Sequence, residues 1–207
     1  MKISPDAYIQ IVLQWTYYRC HGRLVSTYES AGLRRFRLGR VDNIRAATPE
    51  ALAWAKVMED LDASRITKKR AFQNALKKHT TVMTDTLFGY GIDNHMVALR
   101  ELCHLTGKGL PKIFTDTTFN ELFRFPLSTS QVPVNIPKTL IGYGAVVDDG
   151  YGCGYSPTNN AITFTIASFH SSSKSDSALF RKTLEITLDD MKDFLEVEFP
   201  HGIEQES

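Results

Sequence analysis

The sequence changes character at Pro111, and this switch constrains the fold more than any single motif. Ahead of it the patterning is helical. A first helix is expected from Ser4, suited to capping, and Pro5, suited to a first turn, through Ile9, Leu13 and the aromatic-rich stretch 15–18 to Gly22. A β-prone run at 24–28 and an arginine-rich run at 34–40 lead to a Thr48, Pro49, Glu50 helix start. Helices are expected over 49–59, 64–87 and 93–105, the last stopping near Gly107 and Gly109. Beyond Pro111, strands are expected over 125–132, 140–147 and 161–169. A final helix over 175–195 spaces Leu179, Leu184, Leu188, Met191 and Leu195 three to five residues apart, as packing on a sheet requires. The charged tail after Pro200 is expected to fray. With no internal repeat or long linker, a single α/β unit is the simplest organisation.

Composition removes several function classes. Across 207 residues, 24 Lys and Arg face 23 Asp and Glu, a net charge of +1. That is too balanced for a chain whose main partner is nucleic acid or an anionic membrane surface, so neither is expected. The longest uncharged stretch, 150–173, is broken by Pro157, Asn159, Asn160 and many hydroxyls, so no transmembrane helix is expected. Cys20, Cys103 and Cys153 are odd in number and far apart, which is not a disulfide framework. Ser4, Pro5 and Asp6 stand where a secretory leader would be apolar, and the expected compartment is the reducing cytoplasm. A chain of this size buries about 70% of its unfolded surface, enough to fold without disulfide or metal.

The six histidines show no pair at metal-ligand spacing, and no metal is expected. Cys20-His21 and Cys103-His104 point to different faces of a helix, and small buried hydrophobes are the default reading of the cysteines. Arg65, Lys68, Lys69, Arg70, Lys77 and Lys78 read as the solvated side of a long helix. Gly142, Gly144, Gly150, Gly152 and Gly154 lack the spacing of a dinucleotide fingerprint and mark turns or close backbone approach. Two stretches leave two readings open. The hydroxyls and amide of residues 128–131 either bond internally or meet a ligand. Tyr143 and Tyr151, each flanked by glycines, either stand over a flat or cationic ligand or fill a turn.

Thr27-Tyr28-Glu29-Ser30-Ala31, Gly39-Arg40-Val41-Asp42-Asn43-Ile44-Arg45, Leu127-Ser128-Thr129-Ser130-Gln131-Val132-Pro133 and the segment 144–155 together resemble the choline/carnitine acyltransferase family, in the family's order. The likeness runs from about Ser4 to Leu195. It implies an α/β fold, a mixed sheet with packed helices similar to chloramphenicol acetyltransferase. It further implies that residues 1–207 are the C-terminal portion of a two-domain enzyme, whose missing N-terminal half is the chain's partner. The implied reaction moves an acyl group between coenzyme A and the hydroxyl of a small quaternary-ammonium alcohol.

The resemblance also separates the two alcohols, because carnitine carries a carboxylate and choline does not. Carnitine-using members have Thr at the positions of Val41 and Asn43 and Arg at that of Asn94. The neutral set here implies a choline-like substrate, since an unpaired Arg would repel a cation. By the same resemblance Tyr28 lines the pocket, Tyr143 faces the trimethylammonium group, and Asp42 helps to neutralise it. Ser130 is the implied oxyanion donor. Gln131, Ser30, Ser4 and Asp6 are implied contacts of the co-substrate acetyl-coenzyme A, with Arg34 or Arg35 pairing a phosphate. Four departures stand beside the matches. No histidine here has the context of the family's general base, which is followed closely by an acidic residue and lies upstream. The coenzyme-binding lysines ahead of the first helix reduce to Lys2, one extra residue separates Gln131 from Tyr143, and Ala145 stands for a proline. The chain is therefore expected to be half an active site, inactive alone, with apolar surface left uncovered. A carnitine acyltransferase and a non-catalytic truncated binding module are the alternatives.

Overall fold

The helical half forms where its caps dictate. In the computed structural model, which describes residues 3–131 and 139–199, helix α1 (Pro5–His21) ends at Gly22 with φ 67°, the left-handed geometry glycine adopts freely. Ser4 takes the N-cap position, but its side chain makes no capping bond; only its carbonyl is used, by Tyr8 N–H at 3.0 Å. Thr48 caps α2 (Pro49–Glu59) and Ser64 caps α3 (Arg65–Asp85), each side chain accepting a first-turn N–H. The expected helix to residue 87 instead passes into one wide turn, Thr86–Tyr90, broken at Gly89 with φ 89°. Helix α4 (Asp93–Leu105) follows, then two short helices without a strong sequence signal, α5 (Lys112–Thr115) and α6 (Thr117–Leu122). Helix α7 (Ser177–Glu198) begins two residues later than its pattern suggested, because Asp176 accepts from Ala178 and Leu179 N–H. Its buried face is Phe180, Leu184, Thr187 and Met191, while Leu179 is 54% exposed.

Five strands complete the fold: β1 (Thr27–Gly32), β2 (Val41–Asn43), β3 (Leu127–Gln131), β4 (Tyr151–Pro157) and β5 (Ile162–Ala167). Their order is β2-β1-β3-β4-β5, with β1, β3 and β4 parallel and the two outer strands antiparallel. The mixed sheet expected from the resemblance is present. Val132 and the tail after residue 199 lie outside the described residues.

One expectation is overturned. Residues 140–147 are not a strand; Leu140, Ile141 and Val146 are exposed, and the strand that follows β3 in the chain, paired between β3 and β5, is the glycine-rich β4. Glycine normally weakens strands, yet here its missing side chain is what the packing needs. A Cβ on Gly152 would sit 2.5 Å from Tyr143 O and 2.6 Å from Gly144 O, so the 139–150 segment lies directly on the strand. Gly152→Ala is accordingly expected to cost about 1–3 kcal/mol and to lift Tyr143 off the sheet, read by urea unfolding and by Tyr143 ring shifts. Tyr151, one of the two aromatics with two readings, is core: it is 1% exposed and stacks on Phe180 at 4.6 Å.

Helix α1 is buried on all sides from Ile9 to Tyr17, as a helix inside a layered core must be. One side meets the sheet. The other meets α2, α3 and α7, where Trp15, Trp54, Phe72 and Phe194 stack with centroids 5.1–5.6 Å apart. The three cysteines are free, and Cys153 is fully buried. Arg65 pairs with Glu198 at the surface, in keeping with a solvated basic side on α3. No helix among the described residues is long and apolar enough to cross a membrane. Helix α4 is tied down at its first turn, where Asp93 is its one buried residue; Leu99, Leu102 and Leu105 further along are exposed.

Candidate functional site

Side chains alternate across a sheet, and hydrogen bonds from α1 establish which face is which. Gln10 Nε2 donates to Thr129 Oγ1 and to the Tyr155 hydroxyl, both at 2.9 Å, and Gln14 Nε2 donates to Thr27 Oγ1 at 3.2 Å. Thr27, Glu29, Thr129, Gln131, Cys153 and Tyr155 therefore lie on the α1 side. Tyr28, Ser30, Ser128, Ser130, Gly152 and Gly154 lie on the other.

The strands do not stay together. β1 pairs with β3 only as far as Glu29↔Thr129, and from Ser30 its partner is β2. β3 continues along β4 to Gln131↔Tyr155. A gap opens between the C-terminal ends of β1 and β3, with half-buried Ser30 and Ser130 on its two lips, facing the same side. Unpaired strand edges can hold an extended ligand, and a hydroxyl on such a lip can donate to a developing oxyanion.

Tyr28 and Tyr143 lie on the Ser130 side. Tyr28 packs edge-on against Phe125, centroids 5.5 Å apart. Tyr143 lies over Gly154 and shares its hydroxyl proton between Ser128 O at 3.0 Å and Cys153 O at 3.1 Å. Its burial pushes the phenol pKa up, so it stays neutral at ordinary pH. Burial likewise pushes the Cys153 thiol up to about 12, which removes it as a nucleophile.

The three residues expected to distinguish the alcohols gather around β2. Val41 is 46% exposed and Asn94 is also exposed, its Nδ2 donating to Val41 O at 2.7 Å. Asn43 is buried and engaged at both ends: Oδ1 accepts Glu29 N–H at 2.9 Å and Nδ2 donates to Asp93 Oδ2 at 2.9 Å. Asp42 is 5% exposed and accepts the N–H groups of Asn43 at 2.8 Å and Asn94 at 3.3 Å. Arg45 closes the group on Asp93 at 2.8–2.9 Å.

The residues expected to meet coenzyme A do not form one cluster. Ser30 stands with Ser130, whereas Gln131 and Asp6 are on the α1 side of the sheet. Ser4 is exposed at the start of α1. Arg34 is exposed after β1, and Arg35 stacks over Phe88 at 3.9 Å.

Two side chains that carried no assignment lie buried beside Asp6 on the α1 side of the sheet. Glu29 and His79 are 2% and 3% exposed, and a carboxylate oxygen of Asp6, one of Glu29 and a ring nitrogen of His79 all lie within 4.8 Å of one another. Asp6 accepts the Tyr155 hydroxyl, while both Glu29 oxygens and His79 Nε2 have no hydrogen-bond partner. Burial, then the nearby negative charge of Asp6, raise the Glu29 pKa well above the usual carboxylate range; burial lowers that of His79 to about 4. Glu29 stands in a quoted motif and His79 in a helix pattern, but only the packing of α3 on β1 brings them together.

Comparison with known proteins gives one family. The choline/carnitine O-acyltransferase family model matches residues 1–186. Choline O-acetyltransferase of Danio rerio is 47% identical over 195 residues, covering 93% of this chain and 30% of that protein. The Homo sapiens choline O-acetyltransferase is 46% identical over 194 residues, 93% of this chain and 26% of its own length. Carnitine O-acetyltransferase of Rattus norvegicus is 37% identical over 195 residues, 94% and 31% respectively. The chain thus spans about 30% of the length of these curated relatives.

Proposed function

This chain belongs to the choline/carnitine O-acyltransferase family, and from that premise we propose that it supplies the oxyanion, alcohol and coenzyme parts of a choline O-acetyltransferase. Residues 1–207 are then the C-terminal portion of a two-domain fold like that of chloramphenicol acetyltransferase, at work in the cytoplasm. The observation that carries the reading is the parting of β1 from β3 with Ser130 on its lip.

In the reaction the choline oxygen attacks the thioester carbon of acetyl-coenzyme A while a base takes the hydroxyl proton. The carbonyl oxygen becomes an oxyanion, the C–S bond breaks, and the coenzyme thiolate takes up a proton. Ser130 Oγ–H is the donor to the oxyanion, a role worth about 3–4 kcal/mol. The base is a histidine outside this chain, whose assistance is worth about 10²–10⁴-fold. Tyr28 and Tyr143 offer aromatic faces to the trimethylammonium group, about 0.5–2 kcal/mol. Val41, Asn43 and Asn94 present no cation to a carboxylate. Asn43 shapes the pocket indirectly, since both ends of its amide hold Glu29 and Asp93. Ser4, Asp6, Ser30 and Gln131 serve the coenzyme, with Arg34 or Arg35 on a phosphate.

The test is an exchange of this chain for the matching segment of the Danio rerio relative, with acetylcholine and acetylcarnitine measured as products. The exchanged enzyme is expected to favour choline, and Ser130→Ala to lower kcat about 10²–10³-fold. A folded enzyme that acetylates neither alcohol, or prefers carnitine, overturns the reading.

A further inference from the structure

Helix α4 begins without a cap of its own. Ile92 takes the N-cap position and its side chain has no acceptor, so the first-turn N–H groups need oxygens from elsewhere. Asp42 of β2 supplies one. Its Oδ1 accepts the N–H of Asn94 at 3.3 Å and that of Asn43 at 2.8 Å, and the residue is 5% exposed. Asn94 answers with its own side chain, whose Nδ2 donates to Val41 O at 2.7 Å. Strand and helix are thus tied in both directions, side chain to backbone and backbone to side chain. The other Asp42 oxygen is packed on Gly91, where a Cβ would lie 2.4 Å from Oδ2 and 2.8 Å from Cγ. Gly91 has φ −62° and ψ 144°, which any residue adopts, so what calls for glycine is the close approach of Asp42.

We propose that Asp42 is a positioning residue for the alcohol, acting through Asn94: by holding the start of α4 on β2 it keeps Asn94 and Val41 side by side. The proposal rests on the choline reading above, and it replaces the part implied for Asp42 by resemblance, that of neutralising the cation. Both hydrogen bonds to Asp42 need an acceptor oxygen and not a charge, which separates the two roles. A counter-ion loses its effect when the carboxylate becomes an amide, whereas an amide oxygen at Oδ1 still accepts both N–H groups. Arg45 and Asn43 anchor the same turn through the side chain of Asp93. The Asp42 bond reaches the backbone of Asn94 itself.

Steady-state kinetics of the hybrid enzyme, made by the segment exchange above, read the role. Asp42→Ala is expected to raise the choline KM about tenfold while the acetyl-coenzyme A KM stays within about twofold, and Asp42→Asn to recover most of the loss. Gly91→Ala keeps the carboxylate but pushes it off its seat, and is expected to raise the choline KM as well; it carries the comparison if Asp42→Ala does not fold. If Asp42→Asn loses as much as Asp42→Ala, the charge is what choline meets and the positioning role is overturned. A wild-type choline KM in Asp42→Ala or Gly91→Ala, or an equal rise in both KM values, overturns it too. Amide hydrogen exchange of the full chain needs no substrate. The Asn94 N–H is expected to exchange about tenfold faster in Gly91→Ala than in the wild type or Asp42→Asn, and equal rates in all three overturn the cap. A hybrid that does not acetylate choline overturns the choline reading and the role with it, while hydrogen exchange still decides whether Asp42 holds α4.

Discussion

Replacing Arg45 with methionine is expected to cost about 3–5 kcal/mol of folding stability, lowering the midpoint of thermal unfolding by about 10 °C. Few side chains in the fold join so many segments. The guanidinium grips Asp93 with two bonds of 2.8–2.9 Å, donates to Leu122 O at 2.6 Å and Ser26 Oγ at 2.8 Å, and packs near the rings of Phe123 and Phe125. It thereby joins the segment after β2 to the start of α4, the end of α6 and the entry to β1. Methionine keeps the length and the apolar packing but leaves Asp93, whose side chain is 8% exposed, with Asn43 as its remaining donor. The cost comes from that uncompensated charge more than from the lost attraction. Adding Asp93→Asn should therefore recover part of the loss, and urea unfolding of the two single variants and the double gives the coupling. A loss under about 1 kcal/mol for the single Arg45→Met variant would sink this account.

The buried pair on the α1 side predicts an equally large but hidden effect. His79 titrates near 4 in the fold against 6.5 when unfolded. Its contribution is complete above pH 6.5 and falls as pH drops towards 4, by roughly 3 kcal/mol in all. Glu29 runs the other way: its pKa is raised above 4.5, so its contribution is complete below that value and is lost as pH rises through the elevated one. Between pH 4.5 and 6.5 the two slopes oppose each other, and wild-type stability is expected to be nearly flat. Glu29→Gln should unmask the acid-side loss, and His79→Gln the alkaline-side loss. Urea unfolding at several pH values checks this directly. Parallel stability profiles for wild type and Glu29→Gln would show that the pair does not carry these protonation states.

How much of this was legible in the sequence follows from how local each determinant is. Helix α2 falls on its expected bounds because Thr48 and Pro49 act within one turn, and β5 lies inside its expected run because Ile162, Phe164 and Ile166 alternate locally. The exchange of 140–147 for β4 shows where local propensity fails. Gly152 and Gly154 are poor strand formers, but a neighbouring segment needs their empty space, and that is a tertiary demand. The site divides in the same way. Ser130 and Tyr28 were legible through motifs of consecutive residues, and the structure locates them on one sheet face. Glu29 and His79 were not, because a glutamate in a strand and a histidine in a charged helix carry no mark of burial until α3 packs on β1. Asn43 reads as a pocket residue in sequence, and only its partners reveal that its amide braces the framework.

The pairing of Thr27 with Leu127 joins positions one hundred residues apart, with α2 to α6 between them. Closing a loop of that length costs about 4 kcal/mol in chain entropy, before the ladder beyond it offers any return. Helices α2 and α3 need no such closure and form from local contacts, so the order of events during folding is helices first and the β1–β3 seam late. The gap that holds Ser130 lies at the far end of that seam. It is among the last parts of the molecule to exist, and in partial unfolding it is among the first to go.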